Sequence, residues 1–412
     1  MSKYFSIFLL LAVAFIDYFG IGLVYPLFSS MLFNHDLPFF SAETSNVVRG
    51  VYLGVLLGVQ PLFSFFSAPI LGVFSDQLGR KRVLIVSLII AMLGYSIGWY
   101  ATSAYSILGL ILFRVVVGIS AGSTSIVQAS LADISTKENK TKNFGLYNMA
   151  LGTGFTIGPY LGGKLSDPEF LSVASYSLPF FFTVIVIIVS LFLVIFFYRE
   201  TLKEKSMGKI SLLAGIRGFK KAFHMKGLRI LFALTFMFVF GWSLFFEFIP
   251  VYLIDRFSFQ TKDIGNLYGV SGAMFAISSG ILIRPLINRF SPYKLFMGNI
   301  FAVGSIILIL VASNSMWQVY ISAIILNFFS AGIFPSITTL VSNKAEENVQ
   351  GEILGLLSST YGLALAVSPI VSGVVVGINS SLPMFFGAVC MFSVGFLLLK
   401  RNIKISLSMS NQ

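Results

Sequence analysis

Long apolar stretches constrain this chain more than any other feature, because twelve of them are long enough to cross a lipid bilayer. A bilayer core of about 30 Å requires about 20 apolar residues in helical form. Charged residues make up only 11% of the chain, whereas soluble domains carry about 25%. We therefore predict an all-α membrane protein with twelve transmembrane helices. The predicted spans lie near residues 4–29, 47–72, 82–100, 106–132, 143–165, 175–198, 228–253, 264–289, 294–313, 316–343, 352–376 and 381–400.

The longest polar interruption is the segment 199–227, which is rich in charge and also contains glycine and serine. It predicts a division into an N-terminal six-helix half at 1–198, a cytoplasmic linker at 199–227 and a C-terminal six-helix half at 228–412. Within the linker, residues 210–223 are expected to form a short amphipathic helix that lies on anionic lipid headgroups.

The two predicted halves resemble each other in sequence. Three residues of the fifth span, Gly145, Pro159 and Gly163, recur 210 residues later as Gly355, Pro369 and Gly373. The loop sequence GVFSDQLGRKR at 72–82 has a degraded counterpart, RPLINRFSPYK, at 284–294. Duplicated halves with a binding site at the bilayer midplane are typical of transporters that rock between two states. A channel or a membrane enzyme does not require this symmetry.

Basic residues are concentrated in alternate loops between the predicted spans. On the side opposite the termini, the only basic residues are Arg49, Lys164, Arg256 and Lys262. By the positive-inside rule, this pattern predicts a multi-pass protein of the cell (inner or plasma) membrane with both termini in the cytoplasm. The same loops account for the net charge of +12, so we do not infer nucleic-acid binding.

The sequence offers little for enzyme chemistry. Its single cysteine, Cys390, excludes an intramolecular disulfide and a multi-cysteine metal site. The chain contains no nucleophile–base motif, metal-ligand spacing or phosphate-binding loop. We expect no catalytic activity, no cofactor and no bound metal. The expected partners are a small-molecule substrate, protons and the lipid bilayer, and the expected oligomeric state is a monomer.

The fifth predicted span, GLYNMALGTGFTIGPYLGG at 145–163, is unusually rich in glycine. On a helix its glycines form two stripes, one of Gly154, Gly158 and Gly162 and the other of Gly145, Gly152 and Gly163. Bare stripes of this kind allow neighbouring helices to approach closely. Pro159 removes one backbone hydrogen bond and therefore predicts a bend near one end.

The spacing G-x8-G-x3-G-P-x2-G-G in this span resembles the fifth-helix antiporter motif of the major facilitator superfamily. The resemblance extends over essentially the whole chain, and the stretch from Gly118 to Gly163 looks most like the tetracycline and multidrug exporters of the twelve-span drug:proton antiporter branch. It implies the major facilitator fold, with two pseudo-symmetric six-helix bundles. Tetracycline exporters of the family carry further acids in spans three and nine, and this chain has none there, which argues against tetracycline itself as the substrate.

The loop at 72–82 is similar to the superfamily motif G-x-x-x-D-[RK]-x-G-[RK]-[RK]. It matches the motif at Gly72, Asp76, Gly79, Arg80 and Lys81, and it departs from it at Gln77. We expect Asp76 near the positive N-terminus of the eleventh helix, around 351–355, and an ion pair between Arg80 and Asp133. These contacts would form a latch that stabilises the outward-facing state. The alternative is a basic loop that only fixes the topology.

Two charged residues, Asp17 and Arg114, lie deep in the first and fourth predicted spans, at similar depth. A charge at the bilayer centre costs about 2.5–3.5 kcal/mol, so such residues normally face a cavity and serve a function. They are placed to interact directly or through water. The pattern D-x-x-G-x-G-x-x-x-P around Asp17 resembles the first-helix motif of drug:proton antiporters, and Arg114 with Gly118 and Gly122 resembles their fourth-helix motif. This resemblance implies that Asp17 accepts a proton and that movement of Arg114 controls it. A static ion pair is the alternative.

Glu247, near the outer end of span seven, completes the predicted proton-coupling set with Asp17 and Arg114. Its carboxylate can meet a cationic substrate or a second proton, or it can reach the outer headgroups. Aromatic and polar residues within the spans are candidates for a cavity that accepts planar lipophilic molecules, although ordinary packing explains them equally well. These candidates are Tyr18, Tyr25, Gln60, Phe113, Asn148, Trp242, Phe245 and Asn327.

The leading hypothesis is a secondary active transporter, a proton-coupled antiporter that exports small lipophilic or drug-like molecules by alternating access, as in multidrug efflux and antibiotic resistance. One alternative is an exporter of an endogenous metabolite such as a siderophore or a sugar, or a proton symporter. The antiporter-type fifth helix argues against symport. Another alternative is a transport-inactive receptor or assembly factor. The buried Asp17 and Arg114 argue against it, because a protein that transports nothing has no evident use for their insertion cost.

Overall fold

The computed structural model describes residues 3–136, 139–202, 205, 214–225, 228–344 and 350–409. The described residues fold into seventeen α-helices and one π-helical segment, Ser278–Leu282. The helices are α1 Lys3–Phe33, α2 Asn46–Leu78, α3 Arg80–Ser103, α4 Ile107–Ser120, α5 Ser123–Ile134, α6 Lys140–Leu165, α7 Leu178–Phe197, α8 Ala214–His224, α9 Arg229–Phe246, α10 Ile249–Phe257, α11 Thr261–Ile277, α12 Arg284–Arg289, α13 Pro292–Val311, α14 Met316–Ser330, α15 Ile333–Ser342, α16 Gln350–Val376 and α17 Leu382–Met409.

Each predicted span corresponds to one helix or to consecutive helices that continue one another. Within the described residues, ten helical segments are long and apolar enough to cross a membrane. The other two predicted spans are 143–165, which is α6, and 264–289, which is α11, the π-helical segment and α12. Glycines and terminal lysines lower the hydropathy of α6, and the π-helical segment divides the other span into short pieces.

Two of the long spans are interrupted at the same local sequence. Helix α4 ends at Ser120 and α5 begins at Ser123, while α14 ends at Ser330 and α15 begins at Ile333. An Ala–Gly pair forms the break in both cases, at 121–122 and at 331–332. Small residues are common at helix breaks because they let neighbouring backbones approach closely. At the first break a Cβ on Gly122 would lie only 3.0 Å from the backbone nitrogen of Ala68 in α2.

The first glycine stripe of α6 packs directly on the backbone of α1, which confirms the predicted close approach. A Cβ on Gly154 would lie 3.0 Å from the Phe19 nitrogen, and one on Gly158 would lie 3.0 Å from the Leu23 nitrogen. The second stripe behaves differently. Gly163 packs against Gly265 of α11, but a Cβ on Gly145 or on Gly152 would have no neighbouring atom within 4 Å. The expectation of a second tightly packed stripe is therefore wrong for these two residues.

Two helix pairs join the N-terminal and C-terminal groups of helices. In the pair α6–α11, a Cβ on Gly163 would lie 3.1 Å from the Gly265 Cα, and in the pair α2–α16, a Cβ on Gly54 would lie 3.1 Å from the Gly373 Cα. All four glycines lie towards the end of the molecule where α2 begins, which we call the closed end. Packing between the groups is closest there.

The other end carries the residues Arg80, Lys81 and Arg229, and we call it the basic end. Packing between the two groups fades towards it. A Cβ on Gly145 of α6 or on Gly355 of α16 would have no neighbour within 4 Å, and α5 and α15 pack chiefly within their own groups. The two groups of helices are therefore joined at the closed end and parted at the basic end.

Helix α8 corresponds to the predicted amphipathic helix at 210–223, of which residues 210–213 lie outside the described part. It packs against α9 and α16: the rings of Phe219 and Phe236 are 5.9 Å apart, and Ala222 is fully buried. Lys220 is exposed. One face of α8 thus contacts protein, and contact of the basic face with lipid headgroups stays a prediction.

Candidate functional site

Asp17 lies near the middle of α1 and is partly exposed. Its carboxylate accepts a hydrogen bond of 2.6 Å from the hydroxyl of Ser123. Ser123 is the first residue of α5, so the break between α4 and α5 places a helix N-terminus opposite the carboxylate. Helix N-termini carry a partial positive charge that stabilises nearby anions. The break therefore provides a polar site for Asp17 within an otherwise apolar bundle.

The glycine of the D-x-x-G pattern, Gly20, has a specific role in this site. Its lack of a side chain makes room for the Tyr95 hydroxyl of α3, which occupies the space that a Cβ at this position would need. Because Gly20 follows Asp17 by three residues, the hydroxyl lies against the same face of α1 as the carboxylate.

Arg114 on α4 is 2% exposed and is bound to the backbone of α2. Its Nε donates to the Leu56 carbonyl at 2.6 Å, and its Nη2 donates to the Leu57 carbonyl at 3.4 Å. In a regular helix the Leu57 carbonyl would accept from residue 61, but that residue is a proline and has no N–H. Pro61 thus leaves the Leu57 carbonyl free for the guanidinium. The Phe28 ring centroid lies 5.8 Å from the Arg114 Cζ.

Asp17 and Arg114 do not form the ion pair that the sequence left open. Asp17 bonds to Ser123, Arg114 bonds to α2, and no carboxylate among the described residues lies within ion-pair distance of the guanidinium. The direct contact and the static-pair alternative are both wrong for this structure, because α2 carbonyls take the place of the expected carboxylate.

Glu247 follows α9 directly and is 3% exposed. Its Oε1 accepts a hydrogen bond of 2.7 Å from the Ser243 hydroxyl, one helical turn earlier. A carboxylate buried in this way does not reach the outer headgroups, so that interpretation is wrong. Glu247 instead lies in the protein interior, at the end of α9.

An aromatic cluster surrounds this region and brings together α1, α6, α9 and α11. It consists of Tyr25, Phe155, Trp242, Phe246 and Tyr268. Ring centroids are 5.0 Å apart for Phe246 and Tyr268, and 5.8 Å apart for Tyr25 and both Phe155 and Phe246. Trp242 stacks on Phe246 at 5.6 Å. The cluster spans both groups of helices at the boundary between the joined and the parted regions.

The predicted cavity residues divide into several places. Tyr25 and Trp242 belong to the aromatic cluster, while Phe245 and Asn327 line an adjacent pocket with Ser271 and Leu326. Tyr18 is partly exposed and Asn148 is exposed on the parted side.

Gln60 and Phe113 lie elsewhere, inside the N-terminal group. Gln60 is 3% exposed, and Phe113 is fully buried with ring contacts to Tyr95 and Phe180. Phe113 is core rather than cavity lining, because the first four spans and α7 enclose it, and that prediction is wrong.

The loop motif has the predicted ion pair, but the pair is present while the basic end is parted, so the expectation that it stabilises only the state with this end closed is wrong. The Arg80 Nε lies 3.0 Å from Asp133 Oδ2, and its Nη1 lies 2.6 Å from Asp76 Oδ1. Asp76, in the last turn of α2, is 41% exposed at its side chain and pairs with Arg80 at the start of α3. The predicted contact of Asp76 with the start of α16 falls partly on residues 350–352, whose side chains lie outside the described part. At Gly355, the other end of the predicted contact region, a Cβ would have no neighbouring atom within 4 Å.

Sequence reasoning missed Glu200, which anchors this motif. Glu200 Oε1 accepts from the Arg80 backbone N–H at 2.9 Å, and Oε2 accepts from the Lys81 N–H at 3.1 Å. Helix α3 begins after Gly79, whose φ of 106° suits glycine and which, having no side chain, cannot cap the helix. Two sequence features could have predicted this contact: the start of α3 lacks a capping side chain, and an acidic residue, Glu200, directly follows the sixth span.

An ionic contact at the closed end was also missed. Lys262 at the start of α11 contacts Glu169 and lies 3.8 Å from Asp167 Oδ1, both in the segment after α6. Thr261 donates to the Tyr176 hydroxyl at 3.4 Å. These contacts join the two groups of helices beyond the glycine pairs.

Comparison with known proteins places these features in a family. The family model of the Major Facilitator Superfamily matches residues 10–369, with a second match at 279–407. The chain is 26% identical to a class H tetracycline resistance protein of Pasteurella multocida, over 89% of this chain and 87% of that protein. It is 26% identical to the quinolone resistance protein NorA of Staphylococcus aureus, over 98% and 99%, and 25% identical to multidrug resistance protein 2 of Bacillus subtilis, over 93% and 92%.

Solved structures show the same fold at low sequence identity. The human organic anion transporter MFSD10 superposes with a TM-score of 0.69 at 18% identity, over 97% of this chain and 100% of that chain. A D-xylose–proton symporter superposes with a TM-score of 0.77 at 12% identity, over 96% and 97%. The predicted fold class is thereby confirmed.

Proposed function

Because the chain belongs to the major facilitator superfamily, we propose that it is a proton-coupled antiporter that exports small lipophilic or drug-like molecules by alternating access. Relatives named for resistance to tetracycline, to quinolones and to multiple drugs support the export of drug-like molecules. The observation that carries the proton coupling is Asp17, a partly exposed carboxylate near the middle of a membrane-spanning helix.

The basic end of the molecule faces the cytoplasm in this proposal. Loops rich in lysine and arginine stay on the cytoplasmic side of membranes, and Arg80, Lys81, Arg199 and Arg229 all lie at this end. The gap between the two groups of helices then opens to the cytoplasm and the inner leaflet. An exporter takes up its substrate in this state.

The moving units are the N-terminal half at 1–198 and the C-terminal half at 228–412, joined by the linker at 199–227. When the halves rock, the close packing of α6 on α11 and of α2 on α16 would separate at the closed end, and the basic end would close. Glycine pairs suit this exchange because bare backbone surfaces can meet and part without repacking long side chains.

Asp17 is the proposed proton carrier. An ionised carboxylate inside a membrane is costly, but the Ser123 hydroxyl and the N-terminus of α5 stabilise it. Protonation removes the charge and lowers the cost of isolating the site from water. The energy of a proton entering from outside can thus be used to return the protein to the substrate-accepting state.

Arg114 and Glu247 form the proposed electrical link between the halves. Arg114 is bound to α2 in the first half, and Glu247 lies between α9 and α10 in the second. Opposite charges attract more strongly where water is excluded, so rocking that changes the separation of Arg114 and Glu247 changes the electrostatic energy of the whole site. A proton or a cationic substrate bound at Glu247 would weaken its attraction to Arg114 and so would also change this electrostatic energy.

The substrate contacts proposed here are the aromatic cluster and the pocket beside it. Tyr25, Trp242 and Phe245 offer ring faces suited to planar lipophilic molecules, and Asn327 supplies a polar group. Tyr18 and Asn148 lie on the path from the parted side.

Only part of the loop motif acts as the proposed latch. Arg80, Asp133 and Glu200 bind the loop to its own half while the basic end is parted, so this part of the motif is a fixed support. Asp76 and Gly72 would contact the start of α16 only when the basic end closes.

The test uses purified protein in proteoliposomes with a pH gradient, with lipophilic drugs added and proton movement recorded. Wild type should release protons on drug addition, and Asp17→Asn should not. Asp36→Asn, at an exposed loop carboxylate, is the matched control and should behave as wild type. Normal uphill export by Asp17→Asn would overturn the proposal.

A further inference from the structure

A second polar space lies inside the N-terminal half, behind the Asp17 carboxylate and away from the aromatic cluster. This small pocket is enclosed by α1, α2, α3, α4 and α7. Its polar lining consists of Asp17, Gln60, Tyr95 and Ser120, and its walls are apolar. It provides room for about one water molecule.

Two buried polar atoms, one in the pocket lining and one about a turn away on α4, have no hydrogen-bond partner among the described residues. They are Gln60 Oε1 and one terminal nitrogen of Arg114, Nη1. Gln60 is 3% exposed and Arg114 is 2% exposed. Buried polar atoms in native proteins nearly always have a partner, and where protein does not supply it an ordered water does. A water in the pocket can donate to Gln60 Oε1, and a water beside Arg114 can accept from Nη1.

The Tyr95 hydroxyl supplies a third polar group. It lies against Gly20, one turn along α1 from Asp17, and it has no hydrogen bond to the described residues. Gly20 is the residue that permits this approach. A tyrosine hydroxyl donates and accepts, and so it can pass a hydrogen bond on from one neighbour to another.

The order of residues along the helices shows which residues lie on the closed-end side of the pocket and which lie on its basic-end side. Helices α2 and α4 both run from the closed end to the basic end. Leu56, which holds Arg114, precedes Gln60 by one turn on α2, and Arg114 itself precedes Val117 of the pocket wall by about one turn on α4. Arg114 therefore lies on the closed-end side of the pocket, and Ser120 with Asp17 lies on the basic-end side.

We propose that this pocket holds the water that connects Asp17 with the closed end, and that Gln60 and Tyr95 are the positioning residues that hold this water. The inference rests on the proposed proton coupling and extends it with a route. Asp17 is partly exposed, and in the present structure the two groups of helices part at the basic end. When the closed end opens, a proton arrives by way of the space beside Arg114 and the pocket.

The transfer conserves the water. A proton from the outer side adds to the water oxygen, and one of that water's own protons passes to a carboxylate oxygen of Asp17. The carboxylate becomes a carboxylic acid and the water is restored. The Gln60 carbonyl accepts one hydrogen bond from the water, and the Tyr95 hydroxyl fixes its orientation towards Asp17.

The experiment compares Gln60→Leu and Tyr95→Phe in proteoliposomes. Tyr95→Phe keeps the ring that packs on Phe113 at 5.1 Å, so it removes only the hydroxyl. Two rates are measured for each variant: drug-induced proton movement, and exchange of labelled drug across the membrane at equal concentrations without a pH gradient. The matched controls, Tyr293→Phe and Gln318→Leu, lose a hydroxyl and an amide far from the pocket.

We expect both variants to slow proton movement by about three- to tenfold, the factor that corresponds to loss of one neutral hydrogen bond, while drug exchange and the controls stay at the wild-type rate. An increased solvent isotope effect on the remaining proton movement would also support the route. Wild-type proton movement in both variants would overturn the inference, and so would an equal loss of exchange, which indicates a purely structural role. If wild type itself moves no protons, the proposed function fails instead.

Discussion

The breaks in the fourth and tenth spans have the same backbone plan but different chemistry. In the first half, the Ala–Gly pair at 121–122 is followed by Ser123, whose hydroxyl binds Asp17 of α1. In the second half, the Ala–Gly pair at 331–332 is followed by Ile333 and Phe334, and the Phe334 ring lies 5.2 Å from Phe238 of α9. Ile333 thus stands where the first half has Ser123, and the second break contacts α9 through two aromatic rings instead of a carboxylate and a hydroxyl.

This difference indicates a division of labour on a duplicated scaffold. The first half contains Asp17, Arg114 and the polar pocket, whereas the corresponding contact in the second half is ordinary apolar packing. Glu247 is the buried acid of the second half, and it lies at the end of α9 rather than at the helix break. The two halves thus share the helix break in the backbone, whereas the side chains at the break differ with the function of each half.

Asp17 contacts the break of the first half and Phe238 contacts that of the second. Substituting each of them gives the sharpest test of this comparison. Phe238→Ala removes a fully buried ring and should lower the free energy of unfolding by about 3–5 kcal/mol, but folded protein should still couple proton and drug movement. Asp17→Asn should keep the unfolding temperature close to wild type and lose coupling. Thermal unfolding in detergent and proton movement in proteoliposomes measure the two effects. Loss of coupling in folded Phe238→Ala would remove the distinction between the halves.

Ser123 offers a smaller change at the same break. Ser123→Ala removes a hydrogen bond to a group that carries charge, which contributes about 1.5–3 kcal/mol, so coupled transport should slow by at least about tenfold. Ser330→Ala in the second half removes a hydroxyl that bonds only to the Asn327 carbonyl and serves as the control. Rates of drug-induced proton movement across a pH series are the measurement. Equal effects of the two substitutions would contradict the role assigned to Ser123.

Much of the fold follows from the sequence because its signals are local. Span length fixes the helices, and the spacing of Gly154, Gly158 and Gly162 indicates a face for close packing, which α1 fills. The ion pair of Arg80 with Asp133 follows from a motif shared with other proteins and is present. These features depend on residues a few positions apart or on a pattern that recurs across a family.

The site is less predictable because its contacts depend on relative helix positions. Similar depth suggests that Asp17 and Arg114 meet, but depth does not give rotation about the helix axis. The two side chains bond to different elements, and Pro61 provides the carbonyl that holds Arg114. Phe113 is an aromatic residue within a span, which made it a candidate for the cavity, but it lies in the core. Glu200 and Lys262 act across long sequence separations that no local pattern reveals.

The glycine stripe of α6 gives a third way to compare the halves. At the positions in α16 that lie 210 residues after Gly154 and Gly158, the second half has Ala364 and Ser368. Gly154→Ala therefore introduces the residue of the second half, but its Cβ would meet the α1 backbone. We expect a loss of about 1–3 kcal/mol in the free energy of unfolding from overpacking.

Gly152→Ala on the same helix is the control for this substitution, because nothing lies within 4 Å of its Cβ position. Alanine is about 1 kcal/mol more favourable than glycine in a helix, so this variant should be as stable as wild type or more stable. Thermal unfolding of both variants in the same detergent measures the difference. Two equally stable variants would show that the halves tolerate the same packing between α1 and α6 as between α9 and α16.

Substitution of Lys262 is expected to have the smallest effect. It tests a second comparison, between the closed end, where the two groups of helices are joined, and the basic end, where they are parted. Lys262 connects α11 to Asp167 and Glu169, and exposed ion pairs contribute about 0–1 kcal/mol and weaken with salt. Lys262→Gln should therefore shift the population modestly towards opening at the closed end, with a larger shift relative to wild type at low salt. Cysteine labelling at Thr261→Cys in a Cys390→Ala background measures that opening as a labelling rate, because Thr261 is buried beside Tyr176 while the halves are joined. Lys164→Gln on the neighbouring segment, where the amine lies over the Phe170 ring, is the control. An unchanged labelling rate in Lys262→Gln at low salt would mean that the glycine pairs alone hold this end together.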